Sequence, residues 1–551
     1  MAYQQVEARY VDFFSKKEVG DDIHIVKEVL VEDGKKVSSN IRVIKDYQRP
    51  FWITKPIYQN YKDKKEYEEL SRVDMFKSTQ SDLFQNVAKR LGGRYIGVKD
   101  PRIIRDSPYV YGLDIESRTF LKYKYDSKLQ QPMTPYNVGF FDIEVDTITN
   151  DIIIISFITH DVLKVAILDS FIKGTDVNKK RLLNMYNTYI PEDNNGLKDH
   201  VDLEIKFFPT EVDMIKYIFH EANYANIDVL AAWNIKYDLT EIIERLEKNG
   251  IDPADVFHYD AIPRKYKFFK FKEGRAKRVT EAGREITFSP EDIWHNIKCT
   301  ANYMFLDAMA SYNYIRIGSA SVPGGYSLDN ILKLEGITGK LKFEDNDEPK
   351  FKGIEWHINM VKNKPFEYVI YNIWDTMSLM TMEMKTKDLS VSLPLLSGPT
   401  HFSNFNSGPR KIVDSMFFFY LKHGKVMGTA SPTKENDKIL GLDGWVVTLI
   451  SHLMEDNDTK HVAINGEETG IRHNVRRQIF DLDAVSSYPS NTVAANVSTA
   501  TTHREIVKIG DMDKKIFKIV NIDLMYGPTN AIEYCQTMFG MPSIFDILKN
   551  T

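Results

Sequence analysis

The sequence predicts a protein of the mixed α/β class, in which helices pack on a sheet of parallel and antiparallel strands. Three segments have the period of two or the apolar density of β-strands and are separated by short breaks: 136–147, 151–159 and 162–168. A helix, an apolar strand and an amphipathic helix follow them: 211–222, 227–233 and 239–249. The predicted order is therefore β-β-β-α-β-α, which suits a mixed sheet with helices packed on it.

The composition is that of an ordinary globular protein, since 43% of the 551 residues are hydrophobic and 27% are charged. This excludes a wholly disordered, collagenous or fibrous chain. Two cysteines, Cys299 and Cys535, are too few for a disulfide framework and indicate a reducing compartment. The net charge of −5 gives no global sign of nucleic-acid binding, so any such function must rest on local patches.

The sequence predicts neither a membrane span nor a signal peptide. The longest apolar runs, such as 152–155, fall far short of the roughly 20 residues that a span needs. The N-terminal stretch MAYQQVEARY lacks the apolar core of a signal peptide. We therefore expect a cytoplasmic protein with no membrane partner.

A cluster of carboxylates lies on the first predicted strand. Asp142, Glu144 and Asp146 are two residues apart, so their side chains project from one face. Neighbouring carboxylates repel each other, which costs stability. A solvent-facing edge would tolerate them, and so would a divalent-cation site, because oxygen ligands suit Mg²⁺ and Mn²⁺. The apolar residues around this strand favour the cation site.

Two later segments carry side chains that suit the same site. In the hexapeptide WNIKYD, a predicted strand ends at Asn234 and a helix begins at Asp238, where the carboxylate could also be a simple N-cap. In the pentapeptide YNIWD, Tyr371 and Asp375 are four residues apart and share one face of a predicted helix. A single Tyr-x₃-Asp is common by chance, so the order of all three segments is what matters.

Taken in order, these segments resemble the three exonuclease motifs of family B DNA polymerases. The matching sequences are FDIE (141–144), N-x₃-D (234–238) and Y-x₃-D (371–375). The stretch YSLDNILKLEGITGKLKFE (326–344) is similar to the corresponding part of T-even-type bacteriophage replicative polymerases. The second motif departs from the family at Tyr237, where Phe is usual, but it keeps an aromatic ring.

The resemblance implies a ribonuclease-H-like 3′→5′ exonuclease domain, a fold that also suits the predicted element order. Its implied catalytic residues are Asp142, Glu144, Asp238, Tyr371 and Asp375. Asp142, Glu144 and Asp375 would hold the Mg²⁺ or Mn²⁺ that activates water. Asp142 would bridge to a second ion supported by Asp238, and Tyr371 would orient the attacking water. Two such cations, about 4 Å apart, clamp the attacking and leaving oxygens in phosphodiester hydrolysis.

A second resemblance lies in DLDAVSSYPS (481–490), which is similar to motif A of the family B palm. The usual form is D-x-x-S-L-Y-P-S, and Ser487 stands here in place of Leu. The resemblance implies that Asp483 is a catalytic metal ligand, that Ser486 lies by the dNTP triphosphate and that Tyr488 excludes a ribose 2′-hydroxyl. The alternative is a turn in which the serines act as caps.

Other motifs of a polymerase palm and fingers are absent from these 551 residues, which contain no D-T-D and no K-x₃-N-S-x-Y-G. One aspartate cannot hold both metals for nucleotide addition. We therefore expect DNA synthesis to need a second chain that supplies the fingers, the thumb and the remaining catalytic aspartate. Either a naturally split phage polymerase or a truncated product would have this sequence.

Composition and resemblance together predict four segments. Residues 386–410 are rich in Ser, Pro, Gly and Asn, and a second break follows at 430–444. The predicted segments are an N-terminal domain (1–110), the exonuclease domain (111–387), a return segment of the N-terminal domain or linker (388–430) and a partial palm with motif A (431–551).

A basic, aromatic stretch, RKYKFFKFKEGRAKRVTEAGR (264–284), is the candidate for contact with DNA phosphates. It holds nine Lys or Arg against two Glu, and its alternation and Gly breaks predict a β-hairpin. The residues predicted to contact phosphates are Lys267, Lys270, Lys272 and Arg275. The alternative is a solvated hairpin with no ligand. By resemblance, Asn234 would contact the end of the DNA strand.

These observations predict the exonuclease-bearing part of a phage-type family B DNA polymerase, acting in the cytoplasm of an infected bacterial host. Its expected partners are primer-template and single-stranded DNA, dNTP with the complementing chain, and a C-terminal polymerase subunit. Two alternatives stay open: a stand-alone 3′→5′ exonuclease whose palm remnant only binds DNA, and a non-catalytic scaffold for a polymerase subunit. The intact carboxylate set disfavours the scaffold, because clustered acids are costly to keep without a ligand.

Overall fold

The computed structural model describes residues 4–62, 64–98, 100–192, 196–279, 285–316, 322–343, 351 and 353–428, and the short segments 460–464, 467–473, 493–494, 521–524 and 527–530. The chain forms two compact units, Met1–Ala430 and Ser431–Thr551. Helices and mixed sheets both occur in the first unit, which confirms the predicted α/β class.

Two small antiparallel sheets make up the N-terminal part of the first unit, with the orders β1-β2-β3 and β6-β4-β7. The strands of these two sheets are β1 (Gln4–Phe14), β2 (Ile23–Glu32), β3 (Lys35–Lys45), β4 (Arg49–Thr54), β6 (Val73–Ser78) and β7 (Val110–Tyr111). A further strand, β5 (Tyr67–Glu69), precedes β6 in the chain and belongs to neither sheet. The helices are α1 (Lys16–Val19), α2 (Leu83–Leu91), α3 (Pro101–Arg105) and α4 (Ser117–Asp126). Helix α4 packs on β1 and β4, so it joins the two sheets.

The central sheet has six strands in the order β11-β10-β9-β8-β12-β17. Its strands are β8 (Val138–Val145), β9 (Ile152–Ile158), β10 (Val162–Leu168), β11 (Asp202–Phe208), β12 (Val229–Ala232) and, after a ribbon described below, β17 (Met304–Asp307). β8, β9 and β10 are antiparallel neighbours, while β11, β12 and β17 add in parallel to the strands beside them. The sheet is therefore mixed, with β8 in its interior.

The observed element order is richer than the predicted one. Helix α5 (Asp176–Tyr189) and strand β11 lie between β10 and α7 (Glu211–Tyr224), where the sequence predicted no element. Helix α5 buries only Leu182 and Tyr186, so its apolar spacing is too weak to give a clear period. Strand β11 is an edge strand with one buried residue, Ile205, so it lacks the apolar run of its neighbours.

Seven further helices lie in the described residues between 197 and 386. They are α6 (Leu197–His200), α8 (Ile235–Lys248), α9 (Pro253–Phe257), α10 (Ala308–Ile315), α11 (Leu328–Leu334), α12 (Ile354–Asn363) and α13 (Pro365–Thr386). Helix α13 begins with Pro365, whose fixed φ suits the first turn, and packs across β8 and β9. It is buried continuously from Tyr368 to Glu383, so it crosses the core instead of lying on the surface.

A two-stranded ribbon rises from the chain between α9 and β17. Strand β13 (Phe269–Lys272) pairs with β16 (Asn296–Cys299), and β14 (Lys277–Val279) pairs with β15 (Glu285–Thr287). The basic stretch therefore forms the outgoing arm of a β-hairpin, and the described part of its return arm lies beyond residue 284. Residues 280–284 lie outside the described part of the chain.

After α13 the chain returns to the N-terminal sheets through α14 (Leu393–Ser397), α15 (Gly408–Lys422) and β18 (Lys425–Met427). Strand β18 pairs with β5 in antiparallel register. Phe417 of α15 packs against Trp52 and Phe120, with ring centroids 5.9 Å and 5.6 Å apart. This aromatic cluster ties residues before and after the central sheet into one unit.

In the second unit the structure describes two strand pairs: β19 (Lys460–Ile464) with β20 (Glu467–His473), and β21 (Asn521–Leu524) with β22 (Gly527–Asn530). The motif A residues Asp483, Ser486 and Tyr488 lie outside the described residues. Within the described ranges, no helix combines the length and the apolar character needed to cross a membrane.

Candidate metal centre

Strand β8 presents Asp142 and Glu144 on one face of the central sheet. Phe141 and Ile143 alternate with them and point to the other face, where the Phe141 ring meets Phe219 at 5.5 Å between centroids. β8 is flanked by β9 and β12 and its acidic face is covered by α13. The exposed-edge alternative therefore does not describe this strand.

Helix α13 brings a third carboxylate to the same place. The ligand oxygens of Asp142, Glu144 and Asp375 all lie within 4.8 Å of one another. Glu144 and Asp375 are buried, and Asp142 is partly buried. We call these three residues the acidic triad. Three carboxylates at this spacing could hold a metal ion.

Asp238 lies beside the acidic triad but is not part of it. Helix α8 begins at Ile235 with Asn234 as its N-cap, so Asp238 is in the first turn and not at the helix start that the sequence predicted. Its buried carboxylate accepts the backbone N–H of Ile143, the residue between the two acids of β8. Among the described residues, the cluster of converging oxygens does not include it.

Asp146, the third acid of the predicted strand, faces a different environment. Its Oδ1 accepts the backbone N–H of Ile148 at 2.8 Å, in the turn between β8 and β9. An acid that caps a turn in this way stabilises local structure and needs no metal. Asp146 therefore serves as an internal control for the two acids before it.

Burial and mutual repulsion raise the pKa of each carboxyl group here. Burial, followed by the charge of Asp375, raises the pKa of Asp142 to about 7. Burial and then the charge of Asp142 raise the pKa of Glu144 and of Asp238 well above their usual ranges. Burial also raises the pKa of Asp375, although Lys340 opposes that rise. Such a cluster is stable in its ionised form only beside compensating positive charge.

Lys340 supplies positive charge at the centre, and the sequence analysis did not single it out. Its Nζ lies 2.5 Å from Oδ2 of Asp375 and donates to the Tyr371 hydroxyl at 2.7 Å. Burial acts to lower the pKa of Lys340, but the charge of Asp375 and the hydrogen bonds to Asp375 and Tyr371 hold it well above its usual range. The available signal was its place within 326–344, the stretch that resembles phage polymerases.

The loop that carries Lys340 is fixed from two sides. The indole N–H of Trp374 on α13 donates to the Gly339 carbonyl at 2.9 Å, and the Lys340 backbone N–H donates to Asp329 at 2.8 Å. A β-carbon on residue 339 would collide with the Asp329 carboxylate, so glycine permits this close approach. These two hydrogen bonds fix the backbone of the loop, and the ammonium group of Lys340 then lies beside Asp375 of the acidic triad.

Two more residues of α13 hold the acids of β8. The Asn372 amide donates to Oδ2 of Asp142 at 2.7 Å, and the Tyr368 hydroxyl donates to Oε2 of Glu144. Tyr368, Tyr371, Asn372 and Asp375 recur at intervals of one, three and four, so a single helical face carries all four. Sequence reasoning missed Tyr368 and Asn372 because neither residue type implies a metal site unless its carboxylate partner is known.

The donor set fits a hard divalent cation. Oδ1 of Asp375 is buried and has no hydrogen-bond partner in the described part of the chain. An unpaired buried acceptor is costly unless a water or a cation satisfies it. The triad offers carboxylate oxygens alone, which suits Mg²⁺ or Mn²⁺ better than softer ions.

The predicted DNA-contacting residues lie at the start of α8 and along the ribbon. Asn234 is exposed, and Lys236 two residues later pairs with Glu273 of the ribbon at 2.6 Å. This ion pair joins the ribbon to the first turn of the helix that carries Asp238. Lys270 and Lys272 themselves line a cavity together with Asp12, Arg118 and His401, and no residue of the acidic triad lines that cavity.

The four predicted phosphate contacts differ in their surroundings. Lys270, Lys272 and Arg275 are exposed, and the structure records no ion pair for them within its described ranges. Lys270 lies opposite Lys298 in the strand register, and Lys298 is itself paired with Glu18 at 2.7 Å. Lys267 lies before β13, and its Nζ is 2.6 Å from the Asp255 carboxylate. Its charge is therefore already partnered.

Comparison with known proteins adds no assignment. No protein-family model matches the chain, and no curated protein matches it significantly.

Proposed function

We propose that the chain is a Mg²⁺- or Mn²⁺-dependent 3′→5′ DNA exonuclease with a ribonuclease-H-like catalytic domain. The observation that carries this proposal is the convergence of Asp142, Glu144 and Asp375 within 4.8 Å, on an interior strand and a buried helix. Buried like charges of this kind are strongly destabilising without a ligand, so a structural role for the triad alone is disfavoured.

The residues around the triad have separable roles in this proposal. A bound divalent cation lowers the pKa of its water and neutralises charge on the phosphate. Tyr371, whose hydroxyl accepts a hydrogen bond from Lys340, orients the attacking water. The Lys340 ammonium provides positive charge where the phosphate gains negative charge. Asp238, held against the backbone of β8, supports a second ion beside Asp142.

DNA is the proposed substrate because the ribbon carries exposed cations and an ion pair joins it to the helix that carries Asp238. Lys270, Lys272 and Arg275 are exposed and project from a protein whose net charge is −5, so their charge is a local feature. Phosphate contacts of this kind position a strand without reading its sequence. Asn234, which is exposed at the start of α8, would contact the strand end.

We further propose that this exonuclease is the N-terminal part of a phage-type family B DNA polymerase. The support is the resemblance of its motifs, including that of Asp483, Ser486 and Tyr488 to motif A. Synthesis would then require dNTP and a second chain with the fingers, thumb and remaining catalytic aspartate. The stand-alone exonuclease remains the alternative, and it shares the same nuclease site.

The test is degradation of a 5′-labelled single-stranded oligonucleotide by the full chain with Mg²⁺ or Mn²⁺. We expect a ladder that shortens from the 3′ end and requires the metal. The double variant Asp142→Ala, Glu144→Ala should abolish it, because neither ion would then be held, and Tyr371→Phe should slow it less. Asp146→Ala is the matched control and should cut like the parent. Equal cleavage by the double variant and the parent would refute the site.

A further inference from the structure

Helix α12 lies against the face of α13 that meets the acidic triad, and it contributes two neighbouring aromatic residues. The Trp356 ring packs on Tyr371 at 4.9 Å between centroids, in a tilted arrangement. Nδ1 of His357 lies 2.7 Å from the hydroxyl of Tyr368. Tyr368 in turn donates to Oε2 of Glu144. A continuous hydrogen-bonded chain therefore runs from α12 through α13 to a carboxylate of β8.

The direction of this chain follows from a proton count. A carboxylate that binds a cation is ionised and only accepts hydrogen bonds, so the single proton of Tyr368 must point to Glu144. The phenol oxygen of Tyr368 can then only accept from His357. The imidazole must therefore carry its proton on Nδ1, in the tautomer whose Nε2 is free of hydrogen. A chain of donors aligned in this way polarises each successive bond.

We propose that Tyr368 and His357 are positioning residues that orient Glu144 for the metal ion. This inference rests on the proposed metal site but goes beyond it, since neither residue would touch substrate or metal. The Nδ1 atom of His357 is 3.9 Å from Oε2 of Glu144, too far for a hydrogen bond, so the imidazole acts on the carboxylate only through Tyr368. Tyr368 is fully buried, which holds its hydroxyl in a single direction.

Two contacts in the structure distinguish a positioning role from simple packing, and the general behaviour of such contacts gives the size of the effect. The Tyr368 hydroxyl is the one side-chain donor that the described residues offer to Glu144. Asn372 performs the same task for Asp142 from the same helical face, so each acid of β8 has its own donor. Partners that orient ligating side chains commonly change metal affinity by about 10- to 100-fold when they are removed. Removal of Tyr368 or of His357 should therefore change the affinity for the metal ion by a measurable factor.

The experiment is Mn²⁺ binding to the full chain, measured by calorimetry and by the loss of the free Mn²⁺ paramagnetic resonance signal. Tyr368→Phe removes the hydroxyl and keeps the ring, and it should weaken binding about tenfold. His357→Leu should weaken it about three- to tenfold. His357→Asn places an amide N–H where Nδ1 stood, so it should restore affinity to within about twofold of the parent. A packing role alone predicts no such rescue.

Two controls make the outcomes distinct. Tyr217→Phe also removes a phenol that donates to a carboxylate, that of Glu204 at 3.0 Å, but at the β11 edge of the sheet. It should leave Mn²⁺ binding unchanged. Glu144→Gln removes the ligand itself and marks complete loss of the site. Thermal unfolding in EDTA confirms that each variant is folded.

The results separate this inference from the proposed function. If Glu144→Gln loses Mn²⁺ binding while Tyr368→Phe and His357→Leu bind like the parent, the metal site stands and the positioning role is overturned. Equal loss in His357→Asn and His357→Leu also overturns the hydrogen-bonded chain. If Glu144→Gln binds Mn²⁺ as well as the parent, the metal site itself is wrong and this inference falls with it.

Discussion

At the scale of single residues, the acidic centre is a balance between repulsion and a few compensating groups. The Asn372 amide donates a hydrogen bond to Asp142, the Tyr368 hydroxyl donates one to Glu144, and Asp375 lies beside the ammonium of Lys340. Each compensation is partial, because the pKa of all three acids is still raised. The site is therefore built for a ligand that carries more positive charge than one lysine.

Asp142 predicts a pH dependence of stability in the absence of metal. Its pKa rises from the usual 3.8 to about 7 on folding, so between these values the folded state binds more protons than the unfolded state. The contribution of this group to the free energy of unfolding must then fall as the pH rises from about 4 to about 7. Asp142→Asn should reduce that slope without removing it, because the other three acids keep a raised pKa, and the part lost is on the order of 4 kcal/mol at pH 7.

The measurement is urea unfolding in EDTA at several pH values. Asp146→Asn is the control and should follow the parent profile, because that side chain caps an exposed turn. With saturating Mn²⁺ the parent should instead gain stability as the pH rises, since the ion binds the ionised carboxylates. A parent profile that matches that of Asp142→Asn in EDTA would contradict the prediction.

The contact of Lys340 with Asp375 predicts that loss of this lysine slows DNA cleavage without weakening metal binding. Lys340→Met leaves the buried Asp375 without its ammonium partner, so the free energy of unfolding in EDTA should drop by about 2 kcal/mol. Mn²⁺ binding should not weaken, because the ammonium competes with the ion for that carboxylate. Cleavage of single-stranded DNA should fall about tenfold or more, as charge is lost at the phosphate.

Lys340→Arg keeps the charge and is the matched variant for this comparison. It should retain most of the stability and more of the cleavage rate than Lys340→Met. Loss of Mn²⁺ binding in Lys340→Met would show instead that the lysine orients Asp375 for the ion.

At the scale of elements, two pieces of secondary structure organise the candidate site. Helix α13 places Tyr368, Tyr371, Asn372 and Asp375 over β8, because their spacing puts them on one helical face. The ribbon β13–β16 places exposed cations beside the start of α8, which the ion pair of Lys236 with Glu273 joins to it. The helix thus carries the chemistry, and the ribbon supplies charge for a strand of DNA.

The ribbon predicts the salt dependence of DNA binding. Changing Lys270, Lys272 and Arg275 to Gln should weaken binding to primer-template and reduce the slope of log K against log salt by about one unit per lost contact. Lys267→Gln is the internal control, because its ammonium is paired with Asp255 and should contribute less. Titrations at several salt concentrations give the slopes. Unchanged slopes in the triple variant would favour the solvated hairpin.

At the scale of the whole first unit, a buried ionic network joins the N-terminal sheet to the central sheet. Lys27 of β2 donates to the Asn302 carbonyl at 2.9 Å and lies 3.3 Å from the Asp228 carboxylate, just before β12. Arg9 of β1 approaches the same carboxylate at 3.6 Å. Both cations are fully buried, so the two sheets cannot separate without exposing or stranding these charges.

This network predicts that Lys27→Met destabilises the first unit as a whole. Removal of one partner leaves the buried Asp228 poorly compensated, which should lower the free energy of unfolding by about 3 kcal/mol. Urea unfolding followed by fluorescence measures the change, and Lys35→Met, on the exposed end of β3, is the control. A variant as stable as the control would show that apolar packing alone joins the two sheets.

The motif A resemblance predicts that these 551 residues do not synthesise DNA by themselves. Asp483 and Tyr488 resemble motif A, while D-T-D and the fingers motif are absent from the 551 residues. Primer extension should therefore be undetectable with the chain alone and should appear when a polypeptide with those motifs is added. In the productive complex, Asp483→Ala should stop synthesis and leave 3′→5′ degradation intact. Robust extension by the chain alone would refute this prediction.

The sequence by itself determined which acids share the strand β8 and the helix α13. The reason is that side chains two residues apart on a strand, or four apart on a helix, point the same way because of the local backbone geometry. Asp142 and Glu144 share a strand face, and Tyr371 and Asp375 share a helix face, whatever the rest of the chain does. The α/β class followed from the same periodicities. The phage-polymerase resemblance and the motif A residues also belong to the sequence alone, since Asp483 lies outside the described part of the chain.

The tertiary structure alone decided which distant groups meet. Lys340 reaches Asp375 through a loop anchored on α13, and His357 reaches Glu144 only through Tyr368, across more than 200 residues of sequence. The structure also shows that Lys267 forms an ion pair with Asp255, so the charge of Lys267 already has a partner. Such contacts depend on how loops and helices pack on a sheet, and no local period encodes that packing.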